Sequence, residues 1–320
     1  MKDFPSLSPL ECAKALLLID KPLVVMHKNP DGDTVATAGA LLEIFRQLGK
    51  EPYYASADEI PYYLEFLLSD CTRAYCFDGF SAVSVDVATL SHLGELMGKI
   101  TPSLSIDHHV TDGHYAPYCS RPAASTGEVL YEVACELEGL GKISVTSRLA
   151  DLLYASISSD TDRFSLSNAS PTTYRYCAEL IERGARPATV NRSLFFSKKK
   201  EVILAEGFVG LHIKTGGGGK IAYATVSKED RDSLGLSFSD FSGAIEIVET
   251  LRGAEIFLVV KETDEGEYKA WLRSLGRVDV SKVTALHGGT GYSLNAKCSV
   301  EAKTASEAAE MLVLELEKMI

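Results

Sequence analysis

The length, composition and charge of the chain restrict both its fold and its partners. Its 320 residues suffice for two hydrophobic cores, and 46% apolar with 24% charged residues is typical of globular proteins. A disordered chain, a collagen-like chain and a coiled coil are excluded, and no apolar run reaches the roughly 18 residues of a membrane-spanning helix. The net charge of −12 argues against a broad basic surface for long nucleic acid, but not against a small anionic substrate.

The cysteines and the N-terminal residues indicate a compartment. The seven cysteines include no Cys-x-x-Cys pair, so neither a disulfide framework nor a zinc ribbon is indicated. The apolar stretch from Cys12 to Met26 is interrupted by charged residues and a proline, and it has no cleavage-site pattern. We interpret it as a helix followed by a buried strand rather than a signal peptide. We therefore expect reduced thiols and a cytoplasmic location without membrane association.

The N-terminal part alternates predicted strands and helices. Short apolar runs rich in β-branched residues predict strands at 22–27, 52–55, 82–87 and 104–106. Helices are predicted at 34–48, from 125 onward, at 145–157 and at 170–184. Ser125 and Glu128 have the spacing of a capping box. This alternation predicts an α/β fold with a doubly wound, largely parallel sheet and helices on both of its faces.

A second, smaller α/β domain with a mixed sheet is predicted after a helical connection. The predicted bounds are 1–190 for the first domain, 191–210 for a helical linker and 211–320 for the second domain. Its strands are predicted at 221–226, 255–260, 267–275 and 295–300. Its helices are predicted at 241–251, 279–286 and 306–319. The glycine run at 216–219 lacks the Lys-Ser/Thr ending of a phosphate loop, so we interpret it as a flexible turn.

Four segments carry imidazole and carboxylate side chains at the ends of predicted elements. They are His27-Lys28-Asn29-Pro30-Asp31-Gly32-Asp33, the isolated Asp86, Asp107-His108-His109 and Asp160-Thr161. Each segment alone is also what a turn or a helix cap contains. Together they place potential ligands at successive strand ends of one sheet, where open parallel sheets bind their ligands. The four segments therefore predict a two-metal site.

These segments resemble, in order and spacing, the four motifs of the DHH phosphoesterases. The segments Ser125 through Tyr131 and Phe164 through Asn168 add to the resemblance. In the C-terminal part, three further segments resemble the DHH-associated domain, namely Leu272-Arg273-Ser274, Asp279-Val280-Ser281 and His287-Gly288-Gly289-Thr290-Gly291. Within the family, the lengths and the C-terminal pattern are most similar to the bacterial oligoribonuclease and pAp-phosphatase group.

The resemblance implies roles for individual residues. The first metal ion would be bound by His27, Asp31 and Asp86. The second would be bound by Asp33, Asp86, His108 and Asp160, so that Asp86 bridges the two ions. Catalytic roles are implied for His109 at the scissile phosphate, for Asp107 as the support of the histidine pair, and for Asp86. Imidazole and carboxylate ligands without a thiolate suit Mn²⁺, so we expect two divalent cations of this kind as cofactors.

The far end of the substrate would be bound from the second domain, across an interdomain cleft that holds the active site. The residues implied there are Arg273, Gly288, Gly289, Gly291 and Tyr292. The chain departs from the family pattern in having Asp162 where glycine is usual, Tyr292 where histidine is usual, and Asn295-Ala296-Lys297 in place of an Ala-Ala-Gly-like tail. These departures concern the substrate and the rate rather than the metal ligands.

The predicted activity is that of a Mn²⁺-dependent phosphoesterase, a hydrolase acting on ester bonds. It would hydrolyse short oligoribonucleotides, small nucleotides such as pAp, or both, by two-metal activation of water. Three alternatives stay open: a phosphodiesterase for cyclic or linear dinucleotides, an exopolyphosphatase- or pyrophosphatase-like hydrolase, and a non-enzymatic nucleotide-binding protein. Long duplex nucleic acid is not an expected partner, and the sequence leaves a homodimer open.

Overall fold

A computed structural model describes residues 4–111 and 113–320, which form two compact units. The first unit ends at Ser197 and the second begins at Lys198, so the division falls inside the segment 191–210 that we predicted as a linker. Each half of that segment packs within one unit, the helix before the division against the first and the helix after it against the second. None of the helices within the described residues combines the length and the apolar composition that a bilayer-spanning segment needs.

The first unit is built on a six-stranded parallel sheet. Its strands are β1 (Pro22–Val25), β2 (Tyr53–Ala55), β3 (Thr72–Arg73), β4 (Ser81–Val85), β5 (Pro102–Asp107) and β6 (Tyr118–Ser120). Their order across the sheet is β3-β2-β1-β4-β5-β6, and every neighbouring pair is parallel. The chain thus winds outward in one direction from β1 and in the other from β4. The doubly wound sheet is confirmed, with its switch point between β1 and β4.

The α-helices of the first unit all pack into one apolar core. They are α1 (Pro9–Leu17), α2 (Gly32–Gln47), α3 (Thr126–Gly139), α4 (Ser147–Asp160), α5 (Pro171–Glu182) and α6 (Pro187–Phe195). The opposite face of the sheet is covered by a 3₁₀ segment at Leu90–Leu96 and by apolar side chains of the connecting loops. Our expectation of helices on both faces is therefore wrong for one face, because the connections between β2 and β5 contain 3₁₀ turns but no α-helix.

The second unit contains a mixed six-stranded sheet between two layers of helices. Its strands are β7 (Lys214–Gly216), β8 (Ile221–Val226), β9 (Ile256–Glu262), β10 (Tyr268–Ser274), β11 (Thr290–Tyr292) and β12 (Asn295–Val300). Their order is β11-β12-β10-β9-β8-β7, and only β8 and β9 are parallel. Its helices are α7 (Lys200–Leu211), α8 (Lys228–Leu234), α9 (Ala244–Glu249), α10 (Val280–Leu286) and α11 (Ala305–Glu317). The predicted mixed sheet is confirmed, whereas α8 was not predicted.

A buried lysine lies in the core between the second sheet and α9. Lys261 on β9 is 4% exposed, and its Nζ donates a hydrogen bond to the Phe241 carbonyl at 3.1 Å. The ammonium also lies 4.3 Å from the ring centroids of both Phe238 and Trp271. Burial, reinforced by the positive charge of Arg231, lowers the Lys261 pKa to about 8. The folded unit therefore carries an ammonium whose charged form is disfavoured by its surroundings.

The burial of Lys261 predicts that the free energy of unfolding depends on pH. The group loses its proton near pH 8 in the folded protein but only near 10.5 when unfolded, so stability should rise with pH across that interval. The Lys261→Met variant lacks this titration. The difference in free energy of unfolding between this variant and the parent protein is measured by urea titration. It should favour the variant most at pH 7 and clearly less at pH 10. An identical difference at both pH values would contradict the assignment.

Candidate metal centre

The first cluster of ligands forms where β1 passes into α2. Asp31 is the N-cap of α2, and its carboxylate accepts hydrogen bonds from the backbone N–H groups of Asp33 and Thr34, both at 3.1 Å. At Gly32 a Cβ would lie 2.1 Å from the Ser159 hydroxyl oxygen, so glycine is needed where α2 begins against α4. The Nδ1 of His27 lies 2.8 Å from the Lys28 carbonyl, which leaves Nε2 to face the carboxylates.

Asp86 follows β4 and lies at the centre of the cluster. Its backbone has a φ of 59°, a left-handed conformation that aspartate tolerates better than most residues, and its N–H donates to the Ile106 carbonyl at 3.0 Å. The two Asp86 oxygens point in different directions. Oδ2 lies 3.4 Å from His27 Nε2, and Oδ1 lies 3.6 Å from His108 Nε2. One carboxylate thus reaches both groups of ligands.

The second group of ligands surrounds His108. Its Nε2 lies 3.4 Å from Asp160 Oδ2 and 3.8 Å from Asp33 Oδ2, and its Nδ1 lies 3.1 Å from the Ala123 carbonyl, to which it donates. Asp160 is the last residue of α4 rather than the end of a strand. The expectation that all four segments lie at strand ends is therefore corrected: a helix that packs against α2 supplies the fourth segment.

The neighbouring histidine is oriented by Asp107. Asp107 Oδ1 accepts hydrogen bonds from the backbone N–H groups of His108 and His109, at 2.7 and 3.0 Å, and from His109 Nδ1 at 2.7 Å. This hydrogen bond and the charge of Asp107 outweigh partial burial and raise the His109 pKa to about 9. The His109 side chain is 46% exposed, so its ring is held by Asp107 yet accessible.

The electrostatics of the cluster indicate a need for cations. Burial and the charges of Asp86 and Asp31 raise the Asp160 pKa to about 7, and burial with the charges of Asp86 and Asp160 raises the Asp33 pKa well above its usual range. Burial opposes protonation of His27, but Asp31 and Asp86 overcome it and raise its pKa to about 11. Bound cations would therefore favour ionisation of Asp33 and Asp160.

The ligand atoms are close enough to hold metal ions. Two sets have all their ligand atoms within 4.8 Å of one another, His27 with Asp31 and Asp86, and Asp33 with His108 and Asp160. A third set of the same kind joins Asp86 to Asp107, His108 and His109. Oxygen and imidazole nitrogen donors fit a divalent cation such as Mn²⁺, and no cysteine belongs to any set. The residues present therefore fit divalent cations, and Asp86 belongs to two of the three ligand sets.

Two buried hydroxyl residues, not predicted from the sequence, hold the carboxylates in place. Thr126 donates its hydroxyl to Asp86 Oδ1 at 3.0 Å and its backbone N–H to Asp33 Oδ2 at 2.9 Å. Ser156 donates to Asp33 Oδ1 and accepts the N–H of Gly127 at 2.9 Å. The start of α3 therefore positions two predicted metal ligands at once.

The predicted capping box at the start of α3 does not form. Ser125 is the N-cap of α3, but its hydroxyl makes no capping hydrogen bond and lies 3.1 Å from the Ser156 hydroxyl. Glu128 is buried, and one of its carboxylate oxygens has no hydrogen-bond partner among the described residues. The Ser-x-x-Glu spacing was correct for a helix start and wrong for the cap, because these side chains belong to the buried surroundings of the cluster.

A pocket of about 260 Å³ opens over the cluster. Besides predicted ligands, it is lined by Lys28 and Asn29, which lie in the first motif without an assigned role, and by His92, which we did not single out from the sequence. Asn29 has a φ of 52°, and its N–H donates to Asp58 Oδ2 at 2.7 Å. His92 lies in the 3₁₀ segment, where no sequence pattern distinguishes it from a surface residue.

The predicted substrate residues of the second unit lie on β10, β11 and the turn before β11. Arg273 and Tyr292 both pair with Asn295, so these three residues share one face of the sheet. The Arg273 guanidinium lies 2.6 Å from Glu249 Oε2, and Tyr292 is 81% exposed. A Cβ at Gly289 would lie 2.4 Å from the Lys297 carbonyl and one at Gly291 2.4 Å from Ala296 Cα, so side chains are excluded at both positions.

Comparison with known proteins relates part of the first unit to a protein family. The model of the DHH family N-terminal domain matches residues 21–157, the part of the chain that carries three of the four motifs and the approach to Asp160. Residues 21–157 are thus similar to the N-terminal domain of the DHH family, and this similarity supports a hydrolase of phosphate esters.

Particular relatives are similar along most of the chain. A bifunctional oligoribonuclease and PAP phosphatase NrnA of Bacillus subtilis (strain 168) is 24% identical over 294 residues, which are 91% of this chain and 92% of that protein. The protein of the same name from Thermus thermophilus is 26% identical over 295 residues, 88% of this chain and 84% of that one. The crystal structure of an exopolyphosphatase-related protein from Bacteroides fragilis has a TM-score of 0.86 at 17% identity, covering 100% of this chain and 99% of that one, and this likeness concerns the fold.

The contacts of Thr126 predict its effect on metal affinity. Thr126→Val keeps the shape of the side chain and removes the hydroxyl that orients Asp86, so Mn²⁺ affinity measured by isothermal titration calorimetry should fall roughly 10- to 100-fold. Thr126→Ser keeps the hydroxyl and serves as the matched control. Parent-like Mn²⁺ affinity in Thr126→Val, with the fold intact by circular dichroism, would show that the hydroxyl does not position Asp86.

Proposed function

We propose that the protein is a Mn²⁺-dependent phosphoesterase that hydrolyses short oligoribonucleotides and small nucleotides such as pAp. The observation that carries the proposal is the cluster of ligand sets around Asp86, whose carboxylate lies near both His27 and His108, beside an accessible His109 and beneath an open pocket. The names of the relatives from Bacillus subtilis and Thermus thermophilus support the substrate class. The net charge of −12 favours a short substrate over a long strand.

The proposed metal ligands are the residues that the sequence motifs indicated. One ion would be held by His27, Asp31 and Asp86, and the other by Asp33, Asp86, His108 and Asp160. When bound, two divalent cations would neutralise the phosphate oxygens and lower the pKa of a bound water molecule. Thr126 and Ser156 fix the orientation of Asp86 and Asp33, so these carboxylates need little reorganisation.

His109 and Asp107 complete the proposed catalytic arrangement. Asp107 accepts the Nδ1–H of His109, which directs the opposite ring nitrogen, Nε2, away from the protein. Because Asp107 keeps His109 protonated at neutral pH, Nε2–H can donate a hydrogen bond to a phosphate oxygen as negative charge develops there. Asp107 is thus a positioning residue and His109 the residue that contacts the phosphate.

We propose that the second unit binds the nucleoside end of the substrate. Arg273 offers two parallel N–H donors for a phosphate, although Glu249 holds it before substrate arrives. The turn with Gly288, Gly289 and Gly291 exposes backbone that a phosphate or base can approach closely. Tyr292 presents an accessible aromatic face beside them.

Metal dependence is the first test of the proposed reaction. Excess chelator should abolish hydrolysis of pAp and of a diribonucleotide, and Mn²⁺ should restore it best among divalent ions. Asp86→Ala removes the shared ligand and should reduce kcat by several orders of magnitude, more than the roughly 10- to 100-fold typical of a residue that only supports a ligand. Products are separated by chromatography. Full activity in excess chelator, or retained turnover in Asp86→Ala, would refute the two-metal proposal.

The role of Tyr292 predicts a selective loss. Stacking of a base on an aromatic ring contributes about 1–3 kcal/mol, so Tyr292→Ala should raise KM for nucleotides roughly 5- to 150-fold. Hydrolysis of p-nitrophenyl phosphate, which has no base, should change little, and Tyr292→Phe should retain parent-like KM values. Equal losses on both substrates would indicate a folding role instead of stacking.

A further inference from the structure

Lys28 and His92 form a wall of the pocket that the proposed metal site does not use. Both residues line the pocket, and neither belongs to any of the ligand sets. Within the described part of the chain, neither the Lys28 ammonium nor the His92 ring has a hydrogen bond or an ion pair. Both residues therefore border the same space as carboxylates of the cluster, and their side-chain nitrogen donors have no partner among the described residues.

Backbone contacts hold this wall in place. The Lys28 N–H donates to the His92 carbonyl at 2.6 Å, which ties the loop after β1 to the 3₁₀ segment. The stem of Lys28 lies over Gly94, where an added Cβ would be 3.1 Å from Lys28 Cβ and 3.4 Å from Cδ. Gly94 has a φ of 58°, so a larger residue is disfavoured there on both conformational and steric grounds. The backbone and the first part of the Lys28 side chain thus lie against the 3₁₀ segment, while the residue is exposed to the pocket and solvent.

With two divalent ions bound, the positive charge of Lys28 would exceed what the carboxylates of the pocket neutralise. Two divalent ions would balance the four carboxylates of Asp31, Asp33, Asp86 and Asp160, and Asp107 does not line the pocket. The Lys28 ammonium is then not neutralised by any group of the pocket. A phosphodiester carries a single negative charge, whereas a phosphomonoester carries about −1.5 to −2 at pH 7 and offers three terminal oxygens.

Resting on the proposed function, we infer that Lys28, with His92 beside it, recognises the additional negative charge of a terminal phosphomonoester. Lys28 is then the residue that favours removal of a terminal phosphate over cleavage of an internal diester at the same metal site. His92 donates one ring N–H to a terminal oxygen, which an imidazole can do in its neutral or its charged form. Lys28 acts as a point charge on whichever terminal oxygen the metals leave free.

The test compares two chromogenic esters with the same leaving group. p-Nitrophenyl phosphate is a monoester and bis(p-nitrophenyl) phosphate a diester, and both are small enough to need only the first unit. In the Mn²⁺-loaded full chain, Lys28→Gln should lower kcat/KM for the monoester roughly 10- to 100-fold, as expected for loss of a charged hydrogen bond. The diester should be little affected, and His92→Asn should give a smaller loss in the same direction.

A matched control removes the same charge elsewhere in the first unit. Lys142 is exposed, lies between α3 and α4 and does not line the pocket, so Lys142→Gln should leave both esters unchanged. Equal loss on both esters in Lys28→Gln, or no loss on either, would overturn the inference. Hydrolysis of neither ester by the parent protein would instead count against the proposed function.

Equilibrium binding tests recognition of a phosphate by Lys28 separately from the proposed hydrolytic activity. By isothermal titration calorimetry of the Mn²⁺-loaded protein, Lys28→Gln should weaken binding of inorganic phosphate by a similar factor and leave binding of dimethyl phosphate unchanged. This readout needs no turnover, so it tests the inference even if neither ester is cleaved. Unchanged phosphate affinity in Lys28→Gln would overturn it.

Discussion

The crowding of carboxylates around Asp86 is the constraint on which the first unit depends. Asp86 lies at the switch point of the parallel sheet, where the chain winds away in opposite directions and the ends of β1 and β4 leave an open edge. Bringing Asp31, Asp33 and Asp160 to the same edge disfavours ionisation, as the raised pKa values of Asp33 and Asp160 show. The fold sustains this arrangement with a large helical core beneath it and a set of hydroxyl donors beside it.

The close approach of α4 to α2 and α3 requires small residues where these helices cross. Gly32 permits contact with Ser159, and Gly127 permits contact with Ser156, where an added Cβ would lie 2.0 Å from the hydroxyl oxygen. These contacts place Asp33 at the start of one helix and Asp160 at the end of another within reach of His108. Small residues at the helix crossings are therefore as necessary to the cluster as the ligands themselves.

Much of the fold and of the cluster could be predicted from the sequence, for identifiable reasons. The strands β1, β4 and β12 are apolar or alternating runs that periodicity reveals. Most of the motif histidines and aspartates lie at or just after the ends of β1, β4 and β5. Thr126, Ser156, Lys28 and His92 were not predicted, because their roles arise from contacts between segments distant in sequence. The predicted cap by Ser125 was wrong for the same reason. Local spacing does not show that the Ser125 side chain contacts a distant segment instead of the helix start.

The number of bound Mn²⁺ ions and the magnetic coupling between them test the central claim most directly. If Asp86 joins two ions about 3.5–4 Å apart, as in two-metal hydrolases, the protein should bind two Mn²⁺ per chain. Its low-temperature electron paramagnetic resonance spectrum should then be that of a coupled pair, and Asp86→Asn should abolish the coupling. A single Mn²⁺ per chain with an uncoupled six-line spectrum would contradict the account.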